Sequence, residues 1–328
     1  MRLLVTGGAG FIGSHYVRTL LGEGYPDFDA SLVTVYDKLT YAGNLANLAP
    51  VREDRRFRFV QGDLVDGELL EEVVADHDAV VNFAAETHVD RSIRGAADFV
   101  VTNVLGAQTL FDACLRAETT RVVHVSTDEV YGSVPEGSSV ETDVLEPNSP
   151  YAAAKAAGDL LARAYAVTHG LPVSVTRCTN NYGPYQYPEK VIPLFVTNLL
   201  DGKPVPLYGD GLNVRDWLHV DDHCRGIQRV LQLGEGGEVF NIGGGIEMTN
   251  TELTSRLLAA LGADWETSVE YVEDRKGHDR RYSLDDSKLR ALGYAPHRSF
   301  DEGLAETVEW YRAHRDWWEP LKAKAGLA

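Results

Sequence analysis

The chain has 328 residues, enough for one large domain or two smaller ones, and its 44% apolar and 24% charged content is ordinary for a soluble globular protein. Its 49 acidic against 31 basic side chains give a formal charge of −18, which argues against non-specific attachment to nucleic acid or anionic lipid. Cys114, Cys178 and Cys224 are far apart, with neither metal-ligand spacing nor a disulfide framework, and fit a reducing, cytoplasmic setting.

The opening "MRLLVTGG" lacks the apolar stretch of a signal peptide and reads as a strand, and no later run approaches the length of a membrane span. Strand 2–6 is followed by "GGAGFIGSH", in which Gly7, Gly10 and Gly13 open a helix near 11–22. Glycine is required there for a tight turn, for backbone N–H groups to approach a pyrophosphate, and for helix to pack on sheet. The second strand (32–36) leads to Asp37, whose carboxylate suits the adenosine ribose and would repel a 2′-phosphate. Lys38 beside it argues the other way, and NAD is expected over NADP. Strand 57–61 leads to "QGDL", where Asp63 suits the adenine edge, and a helix near 66–75 follows. Strand 78–83 runs into "NFAAET", with Phe83, Ala84, Ala85 and Glu86 placed for backbone approach to the cofactor.

A helix near 97–117 precedes "RVVHVSTDEVYGS", in which strand 121–126 ends in Thr127 and two adjacent acids, Asp128 and Glu129. In "SPYAAAK", Tyr151 and Lys155 lie four apart on one face of a helix near 151–169 that Pro150 is suited to begin. A phenol titrates near 10, so it needs a neighbouring ammonium and a nicotinium ring to serve as a base at neutral pH. Strand 172–178 closes the series. The alternation predicts an α/β fold: a doubly wound parallel sheet of Rossmann type, with a smaller mixed α/β C-terminal lobe. We expect residues 1–178 to bind NAD and 179–328 to bind the substrate, with segments interleaved. Near the C-terminus, Leu304, Val308 and Tyr311 follow helical spacing and, with Trp310, Trp317 and Trp318, predict a packed terminal helix.

The motifs "TGGAGFIGSH", "DKLTYAGN", "FAAETHVDRSI", "VSTDEVYG", "SPYAAAKAAGDL", "NNYGPYQYPEKVIP", "PLYGDGLNVRDWLHVDDH" and "RKGHDRRYS" run nearly the full length. On them the chain resembles the extended short-chain dehydrogenases/reductases and, among these, the dTDP-glucose 4,6-dehydratases. The acid pair after Thr127 is the most diagnostic feature, because related sugar-nucleotide epimerases lack it. The resemblance implies that Tyr151 takes the 4-hydroxyl proton of glucose, with hydride passing from carbon 4 to a tightly bound NAD. Water then leaves across carbons 5 and 6, with Glu129 as base and Asp128 as acid, and hydride returns to carbon 6. Thr127 would hydrogen-bond the 4-oxygen and Lys155 the nicotinamide ribose.

The same resemblance implies further cofactor contacts at Phe11, Ile12, Leu39, Thr40, Leu64, Thr102 and Asn181. For the substrate it implies Thr87, in preference to the adjacent His88, and Asn180, Lys190, Val191 and Arg215. Pro206, Leu207 and Tyr208 would line the base, while Arg275 and His278, in the basic stretch 274–281, would face the diphosphate. Asn250 is either a ligand contact or a simple helix N-cap. His219 and His223 imitate a metal pair, but no further ligand set is evident and no metal is expected. The family is commonly homodimeric through helices near 97–117 and 151–169, whose alanine-rich faces equally suit packing on the sheet. An epimerase or decarboxylase lacking the acid chemistry, and a non-catalytic NAD-binding scaffold, are the alternatives.

Overall fold

Runs of valine, isoleucine and leucine that alternate with helices bury both faces of a sheet, and that is what these segments do in the computed structural model, which describes residues 1–25 and 27–327. The strands in chain order are β1 (Arg2–Thr6), β2 (Leu32–Asp37), β3 (Phe57–Gln61), β4 (Ala79–Asn82), β5 (Arg121–Thr127), β6 (Val173–Cys178), β7 (Asn180–Tyr182), β8 (Val205–Tyr208), β9 (Val214–His219), β10 (Val239–Ile242), β11 (Glu247–Thr249) and β12 (Val269–Val272). Seven form one parallel sheet in the order β10-β6-β5-β4-β1-β2-β3. The expected Rossmann-type architecture is therefore present. The chain past residue 178 returns to this sheet through β10, which pairs with β6.

Alternate residues of each strand face opposite ways. Leu3 and Val5 of β1 pack with Tyr16, Val17 and Ile227 beneath helices Phe11–Leu21 and Val220–Leu233. Leu4 packs on the other face with Leu70, Phe111 and Ala162, under helices Gly67–Val74, Ala107–Arg116 and Pro150–His169. The order reverses at β1, between β2 and β4, and this opens a crevice at the carboxyl ends of the strands. Smaller sheets, β11-β9-β7 and β8-β12, stand beside it and contribute residues to a second cleft. Their core includes Ile192, Phe195, Trp217, Leu253, Leu304, Val308, Tyr311 and Trp318.

Two helices differ from expectation. The segment near 97–117 is helical throughout but contains a π-helical stretch, Val101–Gly106, between α-helical Ala97–Val100 and Ala107–Arg116. The single C-terminal helix is two, Phe300–Ala313 and Arg315–Lys324, with Trp318 fully buried and Trp310 and Trp317 half-buried. Periodicity cannot see such a break, because the apolar spacing continues across it.

Candidate active site

The first turn after β1 is packed so closely against neighbouring backbone that only glycine fits it. Gly7 has φ +69°, and a Cβ there would lie 2.5 Å from the backbone nitrogen of Ala84. A Cβ on Gly13 would meet the carbonyl oxygen of Gly7 at 2.5 Å, so helix and turn pack backbone to backbone. The facing end of β4 is held by Asn82. Its Oδ1 accepts from the Thr6 hydroxyl at 2.6 Å and from the Ala84 N–H at 3.2 Å, while its amide meets His124 at 2.9 Å. Asp37 ends β2 almost fully buried, accepting from the N–H groups of Ala9 and Leu39 at 2.9 and 2.8 Å. Burial raises its carboxyl pKa, and those two N–H groups oppose the rise. Lys38, read in sequence as a sign of a 2′-phosphate, instead donates to Asp63 at 2.6 Å.

These residues line a cleft of about 280 Å³. Its walls carry Gly7, Gly10, Phe11, Ile12, Gly13, Asp37, Lys38, Thr40, Asp63, Leu64, Phe83, Ala84, Ala85, Glu86 and Thr102, and at its inner end Thr127, Asp128, Glu129, Tyr151, Lys155 and Asn181. The π-helical stretch helps here: it brings Thr102 to the wall, while Asn103 accepts from the Glu86 N–H at 2.9 Å and donates to its carbonyl at 3.0 Å. Leu39 does not line the cleft. Its side chain packs against the sheet core, and only its N–H reaches the site, through Asp37. The glycine turn and the buried carboxylate that ends β2 fit a dinucleotide.

At the inner end, β5 delivers Thr127 as the cap of a single 3₁₀ turn, Asp128–Tyr131. Thr127 Oγ1 accepts from the Glu129 N–H at 3.3 Å and donates to Asp128 Oδ1 at 3.2 Å. Burial lifts the Asp128 carboxyl well above the usual range, and the charge of Glu129 adds to it; its Oδ2 has no partner among the described residues. Burial also raises Glu129, with Lys190, Arg215 and Arg275 opposing part of the rise. Burial, and then Glu129, push the Tyr151 phenol well above its ordinary value. Lys155 donates to the Val125 carbonyl at 2.7 Å. Burial lowers its pKa, and Asp159 one turn along opposes this. Asp159 in turn accepts from Arg177 at 2.9 Å, and Arg177 donates to the Tyr131 hydroxyl at 2.8 Å. One buried chain thus ties the helix bearing Tyr151 and Lys155 to the turn bearing the acids.

A second cleft of about 170 Å³ opens from the same place, with Glu129, Asn180 and Lys190 lining both. Around it stand Val191, Pro206, Leu207, Tyr208, Arg215, Asn250, Arg275 and His278. Arg275 makes a two-pronged pair with Asp90 at 2.7 and 3.0 Å, and Arg215 lies 4.3 Å over the Tyr282 ring. Asn250 is not a cap. Thr249 caps that helix in a reciprocal box with Glu252, which leaves the Asn250 side chain at the cleft. Thr87 lines the first cleft, and its carbonyl accepts from Lys190 at 2.9 Å. It is His88 that lines the second, its pKa lowered to about 4 by burial and by Lys190. His88, Asp90, Glu189, Trp217 and Tyr282 were missed by sequence reasoning, because their motifs point to the site without saying which side chain turns inward. His219 caps helix Val220–Leu233, its Nδ1 accepting from the Asp221 N–H at 3.3 Å. His223 is buried in the core instead of facing it.

A parallel sheet with its phosphate turn at the switch point, and a buried Tyr–Lys pair facing it, place the protein in the extended short-chain dehydrogenase/reductase class. Comparison with known proteins narrows this. The chain belongs to the GDP-mannose 4,6 dehydratase family, whose model matches residues 4–307. It is 61% identical over 324 residues to a dTDP-glucose 4,6-dehydratase of Streptomyces niveus, covering 98% of this chain and 96% of that one. A solved dTDP-glucose 4,6-dehydratase of Streptomyces venezuelae with NAD bound is 65% identical, with a TM-score of 0.97 over 98% of this chain and all of that one. A UDP-glucose 4-epimerase of Thermotoga maritima superposes with a TM-score of 0.86 at 35% identity, over 95% of this chain and 99% of that one. The shared fold thus accommodates both chemistries.

Proposed function

We propose that this protein converts dTDP-glucose to dTDP-4-keto-6-deoxyglucose and water, retaining NAD from cycle to cycle. The observation that carries the reading is the pair Asp128 and Glu129 at the inner end of the first cleft, with Glu129 lining the second as well: burial raises both carboxyls, Asp128 well above its ordinary range, while three cations oppose the rise at Glu129. Two carboxyl groups pushed apart in this way can act as acid and base on one bond.

When bound, the dinucleotide takes a hydride from carbon 4 and gives it back at carbon 6. Tyr151 removes the proton of the 4-hydroxyl; burial and Glu129 raise its pKa, and the Lys155 ammonium on the same helix face together with a nicotinium ring would favour the phenolate. Thr127 hydrogen-bonds the 4-oxygen. The 4-ketone acidifies the proton on carbon 5, which Glu129 removes while Asp128 protonates the departing 6-hydroxyl. The proton held by Glu129 then returns to carbon 5. Asn180, Lys190, Arg215, Arg275 and His278 surround the diphosphate, and Pro206, Leu207 and Tyr208 the base, with Asn250 and Val191 completing the wall. Residues 1–178 supply most cofactor contacts and 179–328 most nucleotide-sugar contacts.

We also propose a homodimer. Helix Pro150–His169 turns Ala152, Ala156 and Ala162 inward and leaves Ala153, Leu160, Ala164 and Val167 exposed along one stripe, beside exposed Val101 and Leu105 of the neighbouring helix. An apolar face of this kind suits a second copy. Its buried free thiols fit a reducing cytoplasm; among the described residues no helix is long and apolar enough to cross a membrane.

The decisive experiment is incubation with dTDP-glucose and no added cofactor, followed by mass analysis. Loss of one water from the sugar nucleotide is expected. A product of unchanged mass that is the 4-epimer would assign an epimerase instead, and an unaltered substrate would refute turnover with retained NAD.

A further inference from the structure

A cycle that ends with its dinucleotide restored has no need to release it, and the rim of the first cleft carries contacts suited to keeping it in. Two segments face each other there. Residues 38–44 supply Lys38, Thr40, Ala42 and Gly43 to the wall, and residues 186–190 supply Gln186, Tyr187 and Lys190. They touch through Tyr41 and Tyr187, whose rings meet edge to face with centroids 5.4 Å apart. Over Tyr41 lies the Arg91 guanidinium, 3.9 Å from the ring centroid. The same Arg91 grips Glu189 in a two-pronged pair, with contacts of 2.6 and 3.0 Å. One side chain from helix Val89–Arg94 therefore fastens both segments, by cation–π contact to one and by charge-assisted hydrogen bonds to the other.

Each segment also contains or adjoins a left-handed residue that is not glycine: Leu39 at φ +58° and Tyr185 at φ +69°. Such conformations persist only where surrounding contacts enforce them. Leu39 is enforced by its N–H bond to Asp37, and Tyr185 by its ring packing, 4.4 Å from Trp310 and 4.1 Å beneath Arg18. The two segments are thus fixed at their bases and joined at their tips. Tyr187 lines the first cleft and Glu189 the second, so the fastening lies along the wall the two share.

We propose that Arg91, Tyr41, Tyr187 and Glu189 form a latch that retains the dinucleotide, while sugar nucleotides exchange through the adjoining cleft. The inference rests on the reading that the cofactor is regenerated within each cycle. Arg91 and Tyr41 line neither cleft, so they act by holding the walls and not by touching the ligand.

The test compares wild type with Arg91→Ala, Arg91→Lys and Tyr41→Leu. Each is loaded with NAD, freed of excess, and mixed with ethanol and alcohol dehydrogenase, which report released NAD by the absorbance of the NADH formed. Release should be about tenfold faster in Arg91→Ala and Tyr41→Leu, the effect of losing roughly one strong contact, with Arg91→Lys between. Dilute variants should also lose activity with time and regain it on addition of NAD. Arg91 is 36% exposed, so its replacement leaves the core intact, and circular dichroism verifies the fold. Release from all three variants at the wild-type rate overturns the latch. The assay contains no sugar nucleotide, so a failure of the dehydratase reading would appear separately, as a wild type that retains NAD yet eliminates no water.

Discussion

Asp128 and Glu129 are adjacent in the chain, the first buried and the second partly so, yet they meet unequal fields. Asp128 faces Glu129 and Asp216 with Arg215 opposing them, whereas Glu129 faces Lys190, Arg215 and Arg275 with Asp279 opposing them. The proposed roles of acid and base rest on this inequality. Replacing Glu129 by Gln removes the base but keeps the shape, so the variant should still reduce its bound NAD when dTDP-glucose is added, yet form no dehydrated product. Dehydration at the wild-type rate would show that another group takes the proton. Lys190 favours the ionised Glu129. Its loss in Lys190→Met should raise the Glu129 pKa, and the acid limb of kcat/KM should move to higher pH by ~1 unit, the effect of one nearby opposite charge. A limb that stays in place or moves down would contradict the assignment.

Among the elements, helix Pro150–His169 does most to organise the site. It starts at a Ser149 cap with proline in its first turn and ends at Gly170 in the left-handed conformation. One face carries Tyr151, Lys155 and Asp159 inward, and the opposite face is the proposed dimer surface. Leu160 is 58% exposed in the single chain, so Leu160→Glu should leave the fold intact and turn a dimer into a monomer in sedimentation. A variant that sediments like wild type would move the interface elsewhere. Asp159 joins this helix to Arg177 of β6 and, through it, to Tyr131 beside the acids. Asp159→Asn leaves the buried Arg177 charge uncompensated and should cost on the order of 3 kcal/mol by chemical denaturation.

Over the whole molecule, folding takes several imidazoles out of water. Burial lowers His219 to about 4 and His223 to about 3, and His223 has no partner on either ring nitrogen among the described residues. A histidine whose folded pKa is depressed stays neutral in the native state while the unfolded chain takes up protons. Its contribution to stability is full above the unfolded pKa of about 6.5 and falls as pH drops below it. For His223 the loss at about pH 5 is on the order of 2 kcal/mol. The raised carboxyls Asp128 and Glu129 act with the opposite sign, so the test is the difference between His223→Leu and wild type. That difference should favour the variant increasingly as pH falls from about 7 to about 5, read by thermal unfolding. A difference independent of pH would mean that His223 titrates normally.

Much of this protein is encoded locally. The six early strands, the glycine turn, the carboxylate ending β2, and the Tyr–Lys spacing depend on periodicity and short-range sterics, and each was found within a residue or two of its place in the sequence. Family likeness, itself a property of the sequence, added the expected roles of the acid pair and most residues that line the second cleft. Tertiary packing decided the rest. It turned His88 instead of Thr87 into the second cleft, engaged Lys38 with Asp63, gave the cap to Thr249 and freed Asn250, broke the terminal helix in two, and introduced the π-helical stretch at Val101–Gly106. These outcomes depend on which groups distant in the chain come within a few ångströms of one another. The same holds for the unequal fields at Asp128 and Glu129: two neighbouring acids are alike in sequence, and the placement of Asp216 near the first and of Lys190 and Arg275 near the second makes them different.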